Sequence, residues 1–286
     1  MLEVREVGGA LAAEICGIDL AADVDDATFR EIEALWNRYG VIFFRGQKLT
    51  PAQHVGFSAR FGELETHVRS NVCKPGYPQI LVVSNIVENG KPIGSQDAGL
   101  FWHSDLCYKA QPSRGSLFYA REVPQENNKP LGDTMFASTS AAYEALPEST
   151  KRELVDLKGV NSYLKAYNVA RKSGSRPPLT QEQLKEVPDV VHPVVRTHPF
   201  TGRKCLFVNE GYTTRIVGVS EQDSERLLSE IHRHVTGPQF VYRHQWQVGD
   251  FLMWDNCSTQ HCAISDYRLP QRRWMERTTL HGSVPR

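Results

Sequence analysis

From residue 80 onward the chain is cut into short strand-like runs, and this segmentation limits its fold more than any other feature. The runs are Ile80–Val83, Ser116–Val123, Asp133–Ala137, Val191–Val195, Cys205–Val208, Phe240–His244, Phe251–Trp254 and Arg273–Leu280. Gly, Pro, Asn or Asp breaks each one from the next. Many short strands at turn-like spacing predict a β-sandwich or barrel with helices packed outside it.

Helical spacing accounts for the remainder. Phe29, Ile32, Leu35, Trp36 and Tyr39 predict an amphipathic helix over Asp25–Tyr39, closed by Gly40. Val41–Phe44 then reads as a buried strand. Thr50-Pro51 opens a second helix, expected to end at Gly62. Further helices are expected near Ser140–Leu146, Glu148–Leu157 and Glu221–Val235, the last entered through Ser220 with Asp223 three residues on. Residues 164–188 are polar, basic at first and carry a Pro pair, which predicts a mobile insertion. It reads equally as a mobile lid over a site or as an ordinary surface loop.

Composition excludes several functions. The 286 residues suit one domain spanning 1–286. Lys+Arg and Asp+Glu are both 33, so a zero balance gives no support to nucleic-acid or membrane partners. The N-terminus lacks a basic start followed by an apolar core, and no apolar run approaches the roughly 20 residues that span a bilayer. A cytoplasmic location is therefore expected. Six cysteines occur with no C-x-x-C pair, so they are expected as buried thiols rather than a zinc knuckle or redox motif.

The chemistry begins at Phe101-Trp102-His103-Ser104-Asp105. On an extended strand His103 and Asp105 would share one face, a neutral nitrogen beside a carboxylate. Alone this pair is more readily a hydrogen-bonded surface pair. His261, beside the strand-like segment ending at Trp254, would complete two histidines and one carboxylate. Such a facial triad leaves coordination positions open on one side and is diagnostic of non-haem Fe(II) oxygenases. Arg273 follows His261 by twelve residues, and Arg277 by a further four. Extended geometry would send both guanidiniums to one side, where forked donors suit carboxylates. The bland alternative is a solvated basic run with Arg268 and Arg272.

Five blocks, FWHSD, GDTMFASTSAAYEAL, HPVVRTHPFTGRKCLFVNEGYTTRI, WDNCSTQHCA and DYRLPQRRWMERTTL, resemble the taurine dioxygenase and chlorophenoxyacetate dioxygenase (TauD/TfdA) family. The resemblance runs in the family's order from about Gly8 to Gly282. It implies a mainly β fold with surrounding helices, a double-stranded β-helix or cupin-like jelly roll, that uses Fe(II), 2-oxoglutarate and O2. It implies His103, Asp105 and His261 as iron ligands, with Arg273 and the Thr134 hydroxyl on the distal carboxylate of 2-oxoglutarate. Arg277 falls where the family meets the acidic group of the prime substrate, His67 matches a substrate-contacting histidine, and Tyr212 an aromatic wall.

The expected activity is hydroxylation of a small organic anion, a sulfonate, sulfate ester or carboxylate, with release of succinate and CO2. C–S or C–O cleavage follows where the attacked carbon bears the leaving group. The carboxylate of Asp105 favours hydroxylation over halogenation, because related halogenases place a small residue there. Positions that carry polar groups for the amine of taurine hold Gly99 and Ser70, which argues against taurine itself. The resemblance also implies a homo-oligomer, dimer or tetramer. Two rivals use the same ligands: a zinc hydrolase, which would need a general base that no motif supplies, and a catalytically silent jelly-roll binding protein.

Overall fold

The computed structural model describes residues 2–66, 72–96, 99–172 and 179–286. The largest sheet has eight strands, in the order Glu3–Glu6, Ala13–Cys16, Val41–Phe44, Phe251–Asp255, Gly115–Glu122, Trp274–Leu280, Tyr77–Ser84 and Cys73–Lys74. Neighbours are antiparallel except Ala13–Cys16 beside Val41–Phe44.

Side chains alternate across this sheet, and both sides are covered. Ile42, Phe44, Leu117, Tyr119, Phe251 and Met253 pack with Ile32, Trp36 and Phe57 of the helices Asp26–Tyr39 and Pro51–Ala59. Their sequence neighbours Val41, Phe43, Phe118, Ala120, Leu252 and Trp254, with Met275, point the opposite way. There they meet Phe136 of a smaller sheet built from Val241–His244, Thr134–Ser138 and Thr259–Ala263. Two-sided burial explains why these strands read as continuous apolar runs rather than as alternating ones. The outer side of the smaller sheet is closed by the helix Glu221–Val235, through Leu227, Ile231 and Val235. The expected jelly roll with helices outside is the observed architecture.

Local sequence signals set the helix starts. Asp25 accepts hydrogen bonds from the Ala27 and Thr28 amides, Thr50 and Gln53 form a capping box, and Ser220 accepts from the Asp223 amide. Two expectations need correction. The second helix ends at Ala59, before Gly62, because the chain turns through Arg60 and Phe61 to bring the Phe61 ring into the helix-side core. Residues 164–188 are not wholly irregular: Tyr163–Lys172 and Gln181–Glu186 are helical, and 173–178 lie outside the described residues. Ala166 and Tyr167 are buried on the first helix, and a Thr180–Gln183 capping box starts the second.

Helix and sheet meet most tightly at Gly115. A Cβ there would lie 2.4 Å from Trp36 Cζ2 and 2.6 Å from the Trp254 carbonyl oxygen. Overpacking of this kind costs about 1–3 kcal/mol. Gly115→Ala is expected at the upper end of that range, seen in urea unfolding as a lower midpoint at unchanged slope. An unchanged midpoint would mean that Trp36 yields without cost.

Candidate metal and anion site

The space between the two sheets opens at one end into a pocket of about 460 Å³, its mouth included. It is lined by Val83, Gly99, His103, Phe118, Thr134, Trp246, Trp254, His261, Ala263, Arg273 and Arg277. Strand alternation sends most of these there. Thr134 and Phe136 share a face, and the register sets Thr134 opposite Ala263 and Phe136 opposite His261. On the neighbouring edge Met275 belongs to the inter-sheet layer, so Arg273 and Arg277, each two residues away, fall on its side. A register shift between Trp274 and Met275 leaves Arg121 of the paired strand as the extra residue, so this parity survives. Glu276 faces the other way, fully buried between Lys74 and Arg121.

His103 and His261 are brought face to face by an isolated antiparallel bridge. The His103 amide donates to the His261 carbonyl at 3.1 Å, and the His261 amide returns the bond at 2.8 Å. Their rings lie 4.1 Å apart. Asp105 does not reach them by the route read from sequence. His103 is only a bridge residue, and Asp105 begins a turn that continues through Leu106 at φ +56°. Side-chain bonds replace strand geometry: Ser104 Oγ donates to the Thr259 carbonyl, and the Asp105 amide donates to Asn256 Oδ1. Asp105 Oδ1 ends 3.8 Å from His103 Nε2 and 4.0 Å from His261 Nε2.

The three groups are buried and set for a cation. The His103 Nδ1–H bonds to the Phe101 carbonyl at 2.8 Å, which leaves Nε2 as the ligand atom. Burial lowers the pKa of both imidazoles, so they are held neutral, the form that ligates. For Asp105 burial pushes the pKa up, but the Arg277 guanidinium, helped by the Ser116 hydroxyl, outweighs it and holds the carboxyl well below the usual range. Ser116 Oγ donates to Asp105 Oδ2 at 2.8 Å, and Arg277 Nη1 donates to Oδ1 at 2.9 Å. That contact of Arg277 with a triad residue was not legible in the sequence.

A second cluster, His198, Asp255 and Cys257, has similar donor spacing but is already satisfied. Asp255 accepts from His198 Nε2, the Cys257 amide and Ser258 Oγ, while His198 Nδ1 accepts from the Phe200 and Thr201 amides. It is a hydrogen-bonded brace.

Arg273 is 4% exposed and forms no ion pair with any described carboxylate. Its Nη2 donates to the Gly132 carbonyl at 3.4 Å, and its Nε is buried without a partner. Gly132, at φ +73°, admits the guanidinium, because a Cβ would sit 2.9 Å from Nε. The basic-run alternative holds for Arg272, exposed on Glu122, and fails for Arg273. Arg277 Nε is likewise buried and unpartnered. A buried cation without a counter-charge is costly unless an anion joins it. These residues therefore fit a metal ion beside a small dianion.

Tyr212 stands against the triad, its ring 6.0 Å from His103, 5.7 Å from Phe101 and 4.9 Å from Tyr108. Gly211 allows the approach, since a Cβ there would lie 2.3 Å from the Phe101 ring. Gly99, at φ +75°, does the same for His103, whose Cε1 would be 2.8 Å from an added Cβ. His67 and Ser70 lie outside the described residues. Sequence reading passed over Ser116, Asn256 and Trp246. Asn256 falls within the WDNCSTQHCA block but without a role of its own, and contacts single out all three.

A face-to-face jelly roll with two neutral histidines and a carboxylate at its open end defines a non-haem metal oxygenase. The family model for "Taurine catabolism dioxygenase TauD, TfdA family" matches residues 3–279, and the chain belongs to that family of Fe(II)- and 2-oxoglutarate-dependent dioxygenases. It is 34% identical to an alpha-ketoglutarate-dependent sulfate ester dioxygenase of Pseudomonas putida, over 99% of this chain and 91% of that one. It is also 34% identical to a 2,4-dichlorophenoxyacetate dioxygenase of Cupriavidus pinatubonensis, over 96% of each. Among solved structures, AAD-2 in complex with Mn(II) and N-oxalylglycine superposes with a TM-score of 0.83 at 30% identity, covering 100% of this chain and 98% of that one. A taurine dioxygenase from Burkholderia xenovorans gives 0.83 at 31%, covering 99% and 90%. No helix among the described residues is long and apolar enough to cross a membrane.

Removing the hydroxyl that braces Asp105 should loosen the metal. Ser116→Ala is expected to weaken Fe(II) or Mn(II) affinity by about 10-fold, the usual size of an outer-shell loss. Equilibrium metal titration checks this, and an unchanged affinity would show that Arg277 orients the carboxylate alone.

Proposed function

We propose that this dioxygenase hydroxylates a small organic anion, a sulfonate, sulfate ester or carboxylate, at a centre held by His103, Asp105 and His261. Arg273 and Thr134 take the distal carboxylate of 2-oxoglutarate. Arg277 takes the acidic group of the prime substrate, Tyr212 walls it, and His67 is a further contact by family resemblance. The observation that carries the reading is the buried Arg273, with no described carboxylate in ion-pair contact, in one pocket with the two histidines of the triad.

Bound iron supplies dioxygen activation coupled to decarboxylation of 2-oxoglutarate to succinate and CO2. The chain's residues set position and polarity. Burial keeps both imidazoles neutral, and the Phe101 carbonyl orients the His103 ring. Two guanidiniums in one pocket separate two acids, one for each co-reactant. Phe118, Trp254 and the Tyr212–Tyr108 pair give the substrate an apolar surround that excludes water. Positioning selects the C–H that is attacked. Where that carbon bears a sulfate ester or aryl-ether oxygen, the hydroxylated product releases the leaving group and becomes a carbonyl compound. Relatives named for a sulfate ester and for a dichlorophenoxyacetate both act on anions, which supports this class.

Residues 164–188 are proposed as the lid. Tyr163 at the start of its first helix packs 5.0 Å from Tyr108, which places that helix beside the aromatic wall. The same reading takes 1–286 as one domain and a cytoplasmic homo-oligomer, dimer or tetramer, as the working form. The assembly rests on family resemblance alone.

Alkyl sulfates, sulfonates and aryloxycarboxylates assayed in air with Fe(II) and 2-oxoglutarate should yield one class that drives succinate release. His103→Ala and Asp105→Ala should abolish it, and a retained rate in either would sink the metal assignment. Arg277→Met should lower kcat/KM for the prime substrate by about 100-fold, the cost of removing one partner of a buried charge pair. The KM for 2-oxoglutarate should stay within about twofold. Equal losses on both co-reactants would reject the division of labour between the arginines. Binding of 2-oxoglutarate without succinate release for any class would favour the silent relative.

A further inference from the structure

Among the described residues Trp246 is the one whose side chain hydrogen-bonds the Thr134 hydroxyl, and nothing in the family assignment gives it a role. It lies in the turn between the strands Val241–His244 and Phe251–Asp255 and is 1% exposed. A tryptophan so buried in a polar turn needs a partner for its N–H. It has one: Nε1 donates to Thr134 Oγ1 at 3.0 Å. Its ring is clamped edge-on by His244 at 4.5 Å and by Phe118 at 5.4 Å.

The turn is held in turn by Asp250, which is fully buried. Its Oδ2 accepts from the Gln247 amide at 2.8 Å and from His244 Nε2 at 3.0 Å, and Arg45 Nη1 bonds the same oxygen. His244 Nδ1 meets the Tyr242 hydroxyl at 3.0 Å. The indole is thus braced from the protein surface inward.

An indole N–H can only donate, whereas a threonine hydroxyl can donate or accept. Trp246 therefore makes Thr134 Oγ1 an acceptor on the protein side. No described group accepts the remaining Thr134 hydrogen, and the pocket it lines also holds the unpartnered Arg273 Nε. We propose that Trp246 is a positioning residue: it fixes Thr134 as a donor toward the distal carboxylate of 2-oxoglutarate. The proposal rests on the placement of that carboxylate at Thr134 and Arg273. It leaves the Thr134 hydrogen for the pocket beside the Arg273 guanidinium, so a carboxylate that accepts from both is favoured over a cation.

The test is anaerobic calorimetry of 2-oxoglutarate binding to the Mn(II)-loaded protein, which reads affinity without turnover. Thr134→Val should weaken binding about tenfold or more, the size of one hydrogen bond to a charged group, and Trp246→Phe about three- to tenfold, the size of a neutral one. In the Thr134→Val background Trp246→Phe should add less than about twofold, because the two act through one contact. Site-specific replacement of Trp246 by β-(3-benzothienyl)alanine, which keeps the ring's shape and lacks the N–H, should match Trp246→Phe. It decides the question if Trp246→Phe does not fold. Wild-type affinity in the benzothienyl protein, or an equal loss with and without Thr134, would overturn the role of Trp246. Should Thr134→Val itself bind normally, the placement of 2-oxoglutarate fails and the inference falls with it.

Discussion

A dry layer between two sheets cannot hold isolated charge, and this constraint shapes the whole open end of the molecule. Three ionisable groups of one constellation and two arginines enter that layer. Asp105 is neutralised by Arg277 and hydrogen-bonded by Ser116, and both histidines are kept uncharged by burial. Arg273 remains as a buried positive charge with an apolar wall at Phe118 and one carbonyl contact at Gly132. No described carboxylate comes within ion-pairing distance of it, and only Asp133, Asp266 and Tyr267 act on it from nearby, so the site is electrostatically suited to a small anion.

Backbone geometry makes the crowding feasible. The two-way bridge between His103 and His261 fixes the histidines opposite each other before any metal arrives. Asn256 and Thr259, next to the second histidine in sequence, anchor the turn that carries Asp105. Ligands far apart in sequence are therefore bound to one another through main-chain and amide contacts, which is the rigidity a preorganised site needs. At Gly132 and Gly211 the backbone must pass so near Arg273 and Phe101 that no Cβ fits. These glycines are functional through the space they leave.

Much of this was legible in the sequence because alternation is a simple rule. Arg273, Met275 and Arg277 share parity, and an extended reading placed both arginines on one side, where the structure has them. The short apolar runs likewise gave the two-layer β architecture. The H-x-D segment is a bridge residue followed by a turn rather than the expected strand, although it does bring His103 and Asp105 beside His261. Its turn depends on Asn256 and Thr259, some 150 residues away, and no local pattern encodes such a contact. The same limit hid Ser116 and Trp246, ordinary residues singled out by what they touch, Asp105 and Thr134. The helices within 164–188 were missed because the stretch was judged by its Gly and Pro content rather than by Ala166 and Tyr167, which bury one helical face.

The central claim, that the buried guanidinium of Arg273 exists to receive the carboxylate of 2-oxoglutarate, has a direct optical test. Fe(II) is added to the purified protein without oxygen, and 2-oxoglutarate is titrated while the visible metal-to-ligand charge-transfer band is followed. The account expects the band in the wild type. In Arg273→Met it expects the same band only at about 100-fold higher 2-oxoglutarate, since the keto-acid end still chelates while the distal anchor is gone. Identical titrations for the two proteins, with iron bound in both, would contradict it and leave the buried charge of Arg273 without a function.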